Sequence, residues 1–220
     1  MVLHLAHDLR GGPALVIGGG PVALRKVDRL AAETACIVLS PVFTRTDAPA
    51  AYVRTAVTPA ALEGWIARTA PTLVVVATDD HGLNRELEAV ATAAGVLVNR
   101  TTASARSETA PAHPLSVQLP AVAELDGVTV SIATGGASPA LAGYLRERIE
   151  DRYAQAGAMA RLLAELHDRL RAATVDTADR RAAMRAVLRT PAVWKGLDTG
   201  VPNPRKEADQ VIASTLEEEP

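Results

Sequence analysis

Apolar residues gather in short uninterrupted runs through the first hundred positions and spread out afterwards. Ala14 to Ile17, Cys36 to Leu39 and Leu73 to Ala77 are aliphatic stretches bounded by Gly, Pro, Thr or Ser. Such runs predict strands buried on both faces of a parallel sheet. Between them the pattern turns helical. Pro21 to Glu33 puts Val22, Leu24, Val27, Leu30 and Ala31 on one side, Ala60 to Thr69 forms a second helix, and Asp80 to Ala94 a third that stops at Gly95. Val96 to Val98 follows as another strand. Strand and helix in alternation predict an α/β unit with helices on both faces of the sheet.

After Asn99 this order breaks. Residues 100–114 have no period and read as a loop. Leu115 to Leu119 and Val128 to Ala133 alternate apolar and polar positions, which predicts two paired strands with one polar face. Ser138-Pro139 suits a helix start, Ser as the cap and Pro at the first helical position. Helical spacing continues to about Leu188, with Met159, Leu162, Leu163, Leu166 and Leu170 on one stripe. Residues 191–220 carry Pro191, Pro202, Pro204 and a terminal Glu-Glu-Glu-Pro, and are expected to be loosely ordered.

Composition narrows the chemistry. The chain has 220 residues, 48% hydrophobic but only 3% aromatic, so aliphatic side chains must do the packing. Lys and Arg number 23 against 25 Asp and Glu, a balance that gives no field for nucleic acid or an anionic membrane. Cys36 is the one cysteine, which excludes an internal disulfide and a cysteine-based zinc cluster. The segment before Pro13 lacks a signal-peptide pattern, and no apolar run nears the roughly 20 residues that span a bilayer. A cytoplasmic protein with no nucleic-acid or membrane partner, and no bound metal, is expected.

Gly18-Gly19-Gly20-Pro21-Val22-Ala23 is a G-x-G-x-x-A turn placed after a strand and opening a helix. Gly18 permits the tight turn, Gly20 lets the backbone approach a pyrophosphate, and the helix amino end presents N–H groups to it. The acid that usually binds the ribose 2′-OH at the end of the second strand is absent. Ser40 and Pro41 stand there, and Arg45 nearby could take a 2′-phosphate, so the motif leaves NAD and NADP open. Thr78 and Asp79, at the end of Leu73 to Ala77, are candidates for the cofactor side, whereas Asp80 suits a helix cap. A second small turn, Thr134-Gly135-Gly136-Ala137-Ser138-Pro139, joins a strand to a helix and could receive an anion such as a carboxylate.

Together these segments resemble the precorrin-2 dehydrogenase family, the amino-terminal module of siroheme synthases. The stretches that carry the likeness are DLRGGPALVIGGGPVALRKVDRL, VVVATDDHGLN, GVLVNR and VSIATGGASPALAGYLRERIE, in order over about residues 5–150. The resemblance implies NAD-dependent oxidation of precorrin-2 to sirohydrochlorin by a homodimer, and in some members insertion of Fe²⁺. It implies a Rossmann-type domain at 1–112, a β-containing dimerisation and substrate region at 113–150, a helical region at 151–190 and the tail at 191–220. Pro21, Val22, Val42 and Phe43 would lie against the dinucleotide. Asn99 would act near the tetrapyrrole, with Arg100, Thr134, Gly135, Gly136 and Ser138 on the substrate side.

One position departs from the family pattern. The aspartate expected three residues after Asn99 is Thr102, which is no carboxylate base and a poorer Fe²⁺ ligand. Glu108, His113 or Asp126 could supply a substitute. Hydride transfer rests mainly on positioning and survives this change more readily than metal insertion. A catalytically impaired module that still binds tetrapyrrole or dinucleotide is the alternative. Arg106, Arg146 and Arg148 join Arg100 as partners for the substrate's carboxylates.

Overall fold

A computed structural model describes residues 6–101, 115–135 and 137–217. It divides into two compact units, residues 1–119 and 120–220.

The first unit is a five-stranded parallel sheet in the order β3-β2-β1-β4-β5. Its strands are β1 (Ala14–Ile17), β2 (Cys36–Ser40), β3 (Ala51–Arg54), β4 (Leu73–Val76) and β5 (Leu97–Arg100). β1 and β4 are buried along their whole length, as the unbroken apolar runs require. The helices are α1 (Pro21–Leu30), α2 (Pro59–Thr69) and α3 (His81–Ala93). α1 buries Ala23, Leu24, Val27 and Leu30 against one face of the sheet, while Leu62 of α2 and Leu87 and Ala91 of α3 pack on the other. Burying a side chain of this size contributes about 1.5–3 kcal/mol. The strand order reverses between β1 and β4, where open α/β sheets bind ligands at their carboxyl edge.

β3 was not expected. It is an edge strand with Tyr52 and Val53 half-buried and Ala51 and Arg54 exposed, so it carries little of the hydrophobic pattern. The predicted pairing of 115–119 with 128–133 is also corrected. Val98 N–H donates to Leu115 O at 2.9 Å and Val117 N–H to Val98 O at 2.8 Å, so this segment extends the parallel sheet beside β5. Val117 and Leu119 pack on the first unit's core, which moves the boundary from residue 112 to residue 119.

In the second unit β7 (Val128–Ile132) pairs antiparallel with β6 (Ala121–Leu125). Asp126 (φ 53°) and Gly127 (φ 93°) form the turn between them, the Asp-Gly pair that left-handed two-residue hairpin turns favour. Five helices follow: α4 (Pro139–Arg152), α5 (Ala156–Ala172), α6 (Thr177–Arg189), α7 (Pro191–Thr199) and α8 (Pro204–Glu217). Met159, Leu162, Leu166 and Leu170 of α5 meet Ala183 and Val187 of α6, Val193 of α7, and Ala208 and Ile212 of α8. The expected loose tail is therefore two packed helices. Pro191 and Pro204 are each the first residue of a helix, where a missing N–H costs nothing. Asn203 caps α8 by accepting from Arg205 N–H and Lys206 N–H at 3.0 and 3.2 Å.

Candidate functional site

The glycine turn is built from three different constraints. Gly18 has φ +121°, and a Cβ there would lie 2.3 Å from Ala77 O. A Cβ on Gly19 would lie 2.0 Å from Val42 O and 2.8 Å from Ser40 Oγ. Gly20 is different: a Cβ there would meet nothing within 4 Å. The first two glycines fit backbone to backbone, and the third faces open space at the head of α1.

That helix end is uncapped. Gly20 provides no side-chain cap, Pro21 occupies the first position, and the first turn holds no acid. Thr58 caps α2, Asp80 caps α3, Ser138 caps α4 and Asp176 caps α6, whereas α5 and α7 also start without a side-chain cap; what sets α1 apart is its start at the reversal of strand order. A helix leaves its first N–H groups without intrahelical partners, and the aligned peptide dipoles favour negative charge there. The amino end of α1, with an unobstructed Gly20 before it, therefore fits the diphosphate of a dinucleotide.

The loop after β2 forms a wall beside the turn. Thr44 N–H donates to Gly19 O at 2.9 Å and Thr44 Oγ1 to the same oxygen at 3.2 Å. Phe43 stacks edge-on against Tyr52 at 5.2 Å between centroids, with the Arg54 guanidinium 5.7 Å from the Phe43 ring. Val42 stays 67% exposed and Val22 39%, two apolar side chains flanking the turn; Pro41 is exposed as well. Ser40 does not project outward: its hydroxyl donates to Val42 O at 2.7 Å and the residue is buried. Arg45 is likewise committed, paired with Asp28 and, at 2.6 Å, with Asp47. These carboxylates hold its pKa above the ordinary arginine value, the Asp47 bond being the largest cause. The guanidinium is not free for a 2′-phosphate.

At the end of β4, Thr78 is held by a residue that the sequence pattern did not single out. Asn84 is 1% exposed. Its Oδ1 accepts from Thr78 N–H at 3.2 Å and Thr78 Oγ1 at 2.6 Å, and its Nδ2 donates to Thr78 O at 2.9 Å. Asp79 is exposed beside it. Asp80 caps α3, accepting from Gly82 N–H and Leu83 N–H at 2.8 and 3.0 Å.

At the end of β5, Asn99 is buried and bonded at both the nitrogen and the oxygen of its carboxamide. Its Nδ2 donates to Val117 O at 2.7 Å, and its Oδ1 accepts from Lys26 Nζ. Lys26 also donates to Thr101 Oγ1 at 2.7 Å. Burial pushes this amine down to about 8, since a desolvated ammonium loses hydration. A lone lysine on an amphipathic helix gives no sequence signal for this. Arg100 does not stand free for a substrate: its Nε pairs with Glu88 Oε2 at 2.5 Å.

The second turn lies in the other unit and satisfies itself. Thr134 Oγ1 donates to Ser138 O at 3.1 Å and accepts from Ser138 N–H at 3.3 Å, and Ser138 Oγ accepts from Leu141 N–H at 3.1 Å as the cap of α4. Gly135 has φ +60°. Asp126 is paired with Arg161 at 2.7 Å. Arg146 lies beside Glu147 and Glu150, and Arg148 is exposed. Thr102, Arg106, Glu108, His113 and Gly136 lie outside the described residues. A groove of about 370 Å³ lined by His167, Thr177, Arg180, Arg181, Met184 and Arg185 belongs to the second unit and contains none of the residues above. Among the described residues no three His, Cys, Asp or Glu side chains group as a metal site, and no helix is long and apolar enough to cross a membrane.

Residues 5–111 match the family described as putative NAD(P)-binding. The siroheme synthase of Pseudomonas entomophila strain L48 is 34% identical over 200 residues, covering 89% of this chain and 41% of that protein. The siroheme synthase of Ectopseudomonas mendocina strain ymp is 34% identical over 188 residues, 81% of this chain and 37% of that one. The chain thus spans about two fifths of the length of these curated relatives. Among solved structures, SirC, a precorrin-2 dehydrogenase, superposes with a TM-score of 0.61 at 20% identity, over 97% of this chain and 100% of the other.

Proposed function

We propose that this chain, whose residues 5–111 match the putative NAD(P)-binding family and which is similar to siroheme synthases over 89% of its length, oxidises precorrin-2 to sirohydrochlorin with NAD⁺. The observation that carries this reading is the open, uncapped amino end of α1 behind Gly20, at the point where the strand order reverses. The dinucleotide's part is to accept a hydride; the protein's part is to hold and orient the partners.

The residues divide that work. The backbone around Gly18, Gly20, Pro21 and Val22 receives the diphosphate. Val22, Pro41, Val42 and Phe43 offer an apolar rest for the adenosine half. Arg45, tied to Asp28 and Asp47, is already claimed by carboxylates and is not offered to a 2′-phosphate, which favours NAD over NADP. Ser40 serves by shaping the loop rather than by reaching the ribose. Thr78, fixed by Asn84, and the exposed Asp79 border the cofactor at the end of β4. Asn99 organises the end of β5, and Thr134, Gly135, Gly136 and Ser138 of the second unit are assigned to the substrate. The reaction removes a hydride and a proton, and positioning supplies most of its acceleration.

A homodimer in the cytoplasm completes the proposal. Leu141, Tyr144 and Leu145 are exposed on α4 at helical spacing, and an apolar stripe of that kind marks an interface. Sedimentation at micromolar concentration should show a dimer; a monomer there would remove this part alone.

The test of function is anaerobic mixing of the purified chain with precorrin-2 and NAD⁺, following NADH and sirohydrochlorin by absorbance. Formation of both in equal amounts supports the dehydrogenase. Thr102 at the family's carboxylate position favours the second reading, a binding module. Tight sirohydrochlorin binding without NADH would establish that one instead, and failure to bind or turn over sinks both.

A further inference from the structure

We propose that Lys26 receives one carboxylate of the tetrapyrrole substrate, acting as an anion anchor at the carboxyl edge of β4 and β5. The inference rests on the dehydrogenase reading and adds a substrate-binding residue to it.

The first argument is position. Lys26 lies six residues after Gly20, about 9 Å down α1 at 1.5 Å per residue. Helical side chains lean toward the amino end, so its long stem returns to the edge of the sheet. The contacts agree: Nζ bonds to Asn99 Oδ1 and to Thr101 Oγ1. Thr101 is the first residue past β5, and its N–H donates to Val76 O at 2.8 Å. The ammonium thus sits level with the ends of β4 and β5, beside the reversal of strand order where ligands bind.

The second argument is charge. Arg10, Arg45 and Arg100 in the same unit each face a carboxylate. Among the described residues Lys26 has only two neutral oxygens as partners. Removing an ammonium from water without a counter-ion is costly, and two dipolar acceptors recover only part of that cost. A purely packing role would be served better by Met or Leu. An ammonium has three donors, and two are accounted for. One directed N–H on an uncompensated, half-buried cation is suited to an arriving carboxylate. The dinucleotide's phosphates have their own receiver in the N–H groups at the head of α1.

The experiment compares wild type, Lys26→Met and Lys26→Arg in steady-state oxidation of precorrin-2, with thermal melting as a folding control. A charged hydrogen bond of this type is worth a factor of about 10–100. Lys26→Met should raise KM for precorrin-2 by that factor, with KM for NAD⁺ unchanged and kcat within a few-fold, and Lys26→Arg should restore most of it. A precorrin-2 KM within two-fold of wild type in a folded Lys26→Met overturns the proposal, as does a rise confined to the NAD⁺ KM. Should Lys26→Met fail to fold, reductive methylation of wild type decides. Protection of Lys26 by sirohydrochlorin but not by NAD⁺ supports the anchor, and equal labelling with and without sirohydrochlorin overturns it. A wild type that neither turns over precorrin-2 nor binds sirohydrochlorin brings down the dehydrogenase reading and this inference together. An active wild type with an indifferent variant brings down this inference alone.

Discussion

Alanine at each of the three turn glycines should separate folding from cofactor binding. At Gly19 the added Cβ would lie 2.0 Å from Val42 O and 2.8 Å from Ser40 Oγ. Val42 O is backbone and Ser40 Oγ is held by its 2.7 Å bond to that same oxygen, while the 2.9 Å Thr44 N–Gly19 O bond ties down the loop. Pushing that loop away loses about 1 kcal/mol per hydrogen bond and adds about 1–3 kcal/mol of overpacking. Gly19→Ala should thus cost about 2–4 kcal/mol, lowering Tm by roughly 5–15 °C for a chain of this size. Gly18→Ala should cost at least as much, because its Cβ meets Ala77 O at 2.3 Å and φ is +121°. Gly20→Ala meets nothing, and its φ of −80° suits any residue. Its stability should stay within about 0.5 kcal/mol, the loss at the cap offsetting the gain from a stiffer unfolded chain. Its methyl would nevertheless stand where the diphosphate must approach, so NAD⁺ affinity by calorimetry should fall at least about tenfold. A Gly20→Ala protein that binds NAD⁺ like wild type, or melts as early as Gly19→Ala, would refute the assignment of the turn.

Asn84→Ala strips three hydrogen bonds from the half-buried Thr78, so urea unfolding should show a loss of about 2–4 kcal/mol. Changing Asp28 and Asp47 together to Asn frees Arg45; the kcat/KM ratio should move toward NADP⁺ by about tenfold or more, while stability changes by under about 1 kcal/mol because these pairs are exposed. The Lys26 amine sets a pH dependence with a definite sign. Below about 8 both folded and unfolded chains hold its proton, and from there to the ordinary 10.5 only the unfolded chain does. Folding stability should therefore rise across that window, by about 1–2 kcal/mol after solvent screening. Cys36, pushed up to about 11 by burial, works in the opposite sense above about 9. The check is hence the difference between wild type and Lys26→Met in urea midpoints at several pH values, which should move in favour of wild type between about 8 and 10.5 and stay constant below about 7.

The parts of this protein that could be read from sequence are those where one local pattern has one physical outcome. β1, β2 and β4 are continuous aliphatic runs because both sheet faces are covered, and the glycine turn follows from its place between a strand and a helix. Where a pattern allows two outcomes, the sequence was ambiguous. Alternation at 115–119 correctly signals an extended segment, but alternation names no partner; the chain pairs it with β5 and leaves β7 to β6, which the Asp126-Gly127 turn dictates. Pro191 and Pro204 read as breakers in isolation, yet proline at the first position of a helix is a start signal. The site divides along the same line. Gly18 and Gly20 act through their own backbone and are visible as a motif. Lys26 acts through residues far away in sequence, Asn99 and Thr101, across more than seventy positions, and Asn84 acts across the connection between β4 and α3, through Thr78. A lysine on an amphipathic helix and an asparagine near a helix start are ordinary surface residues until the fold buries them. The same logic applies to Ser40, Arg45 and Arg100, which already have partners within the chain. Their types suited a ligand, but loop, helix and neighbouring carboxylates claimed their polar atoms first. A residue's type thus says which ligands it could serve, and only its tertiary partners decide whether it remains available to serve them.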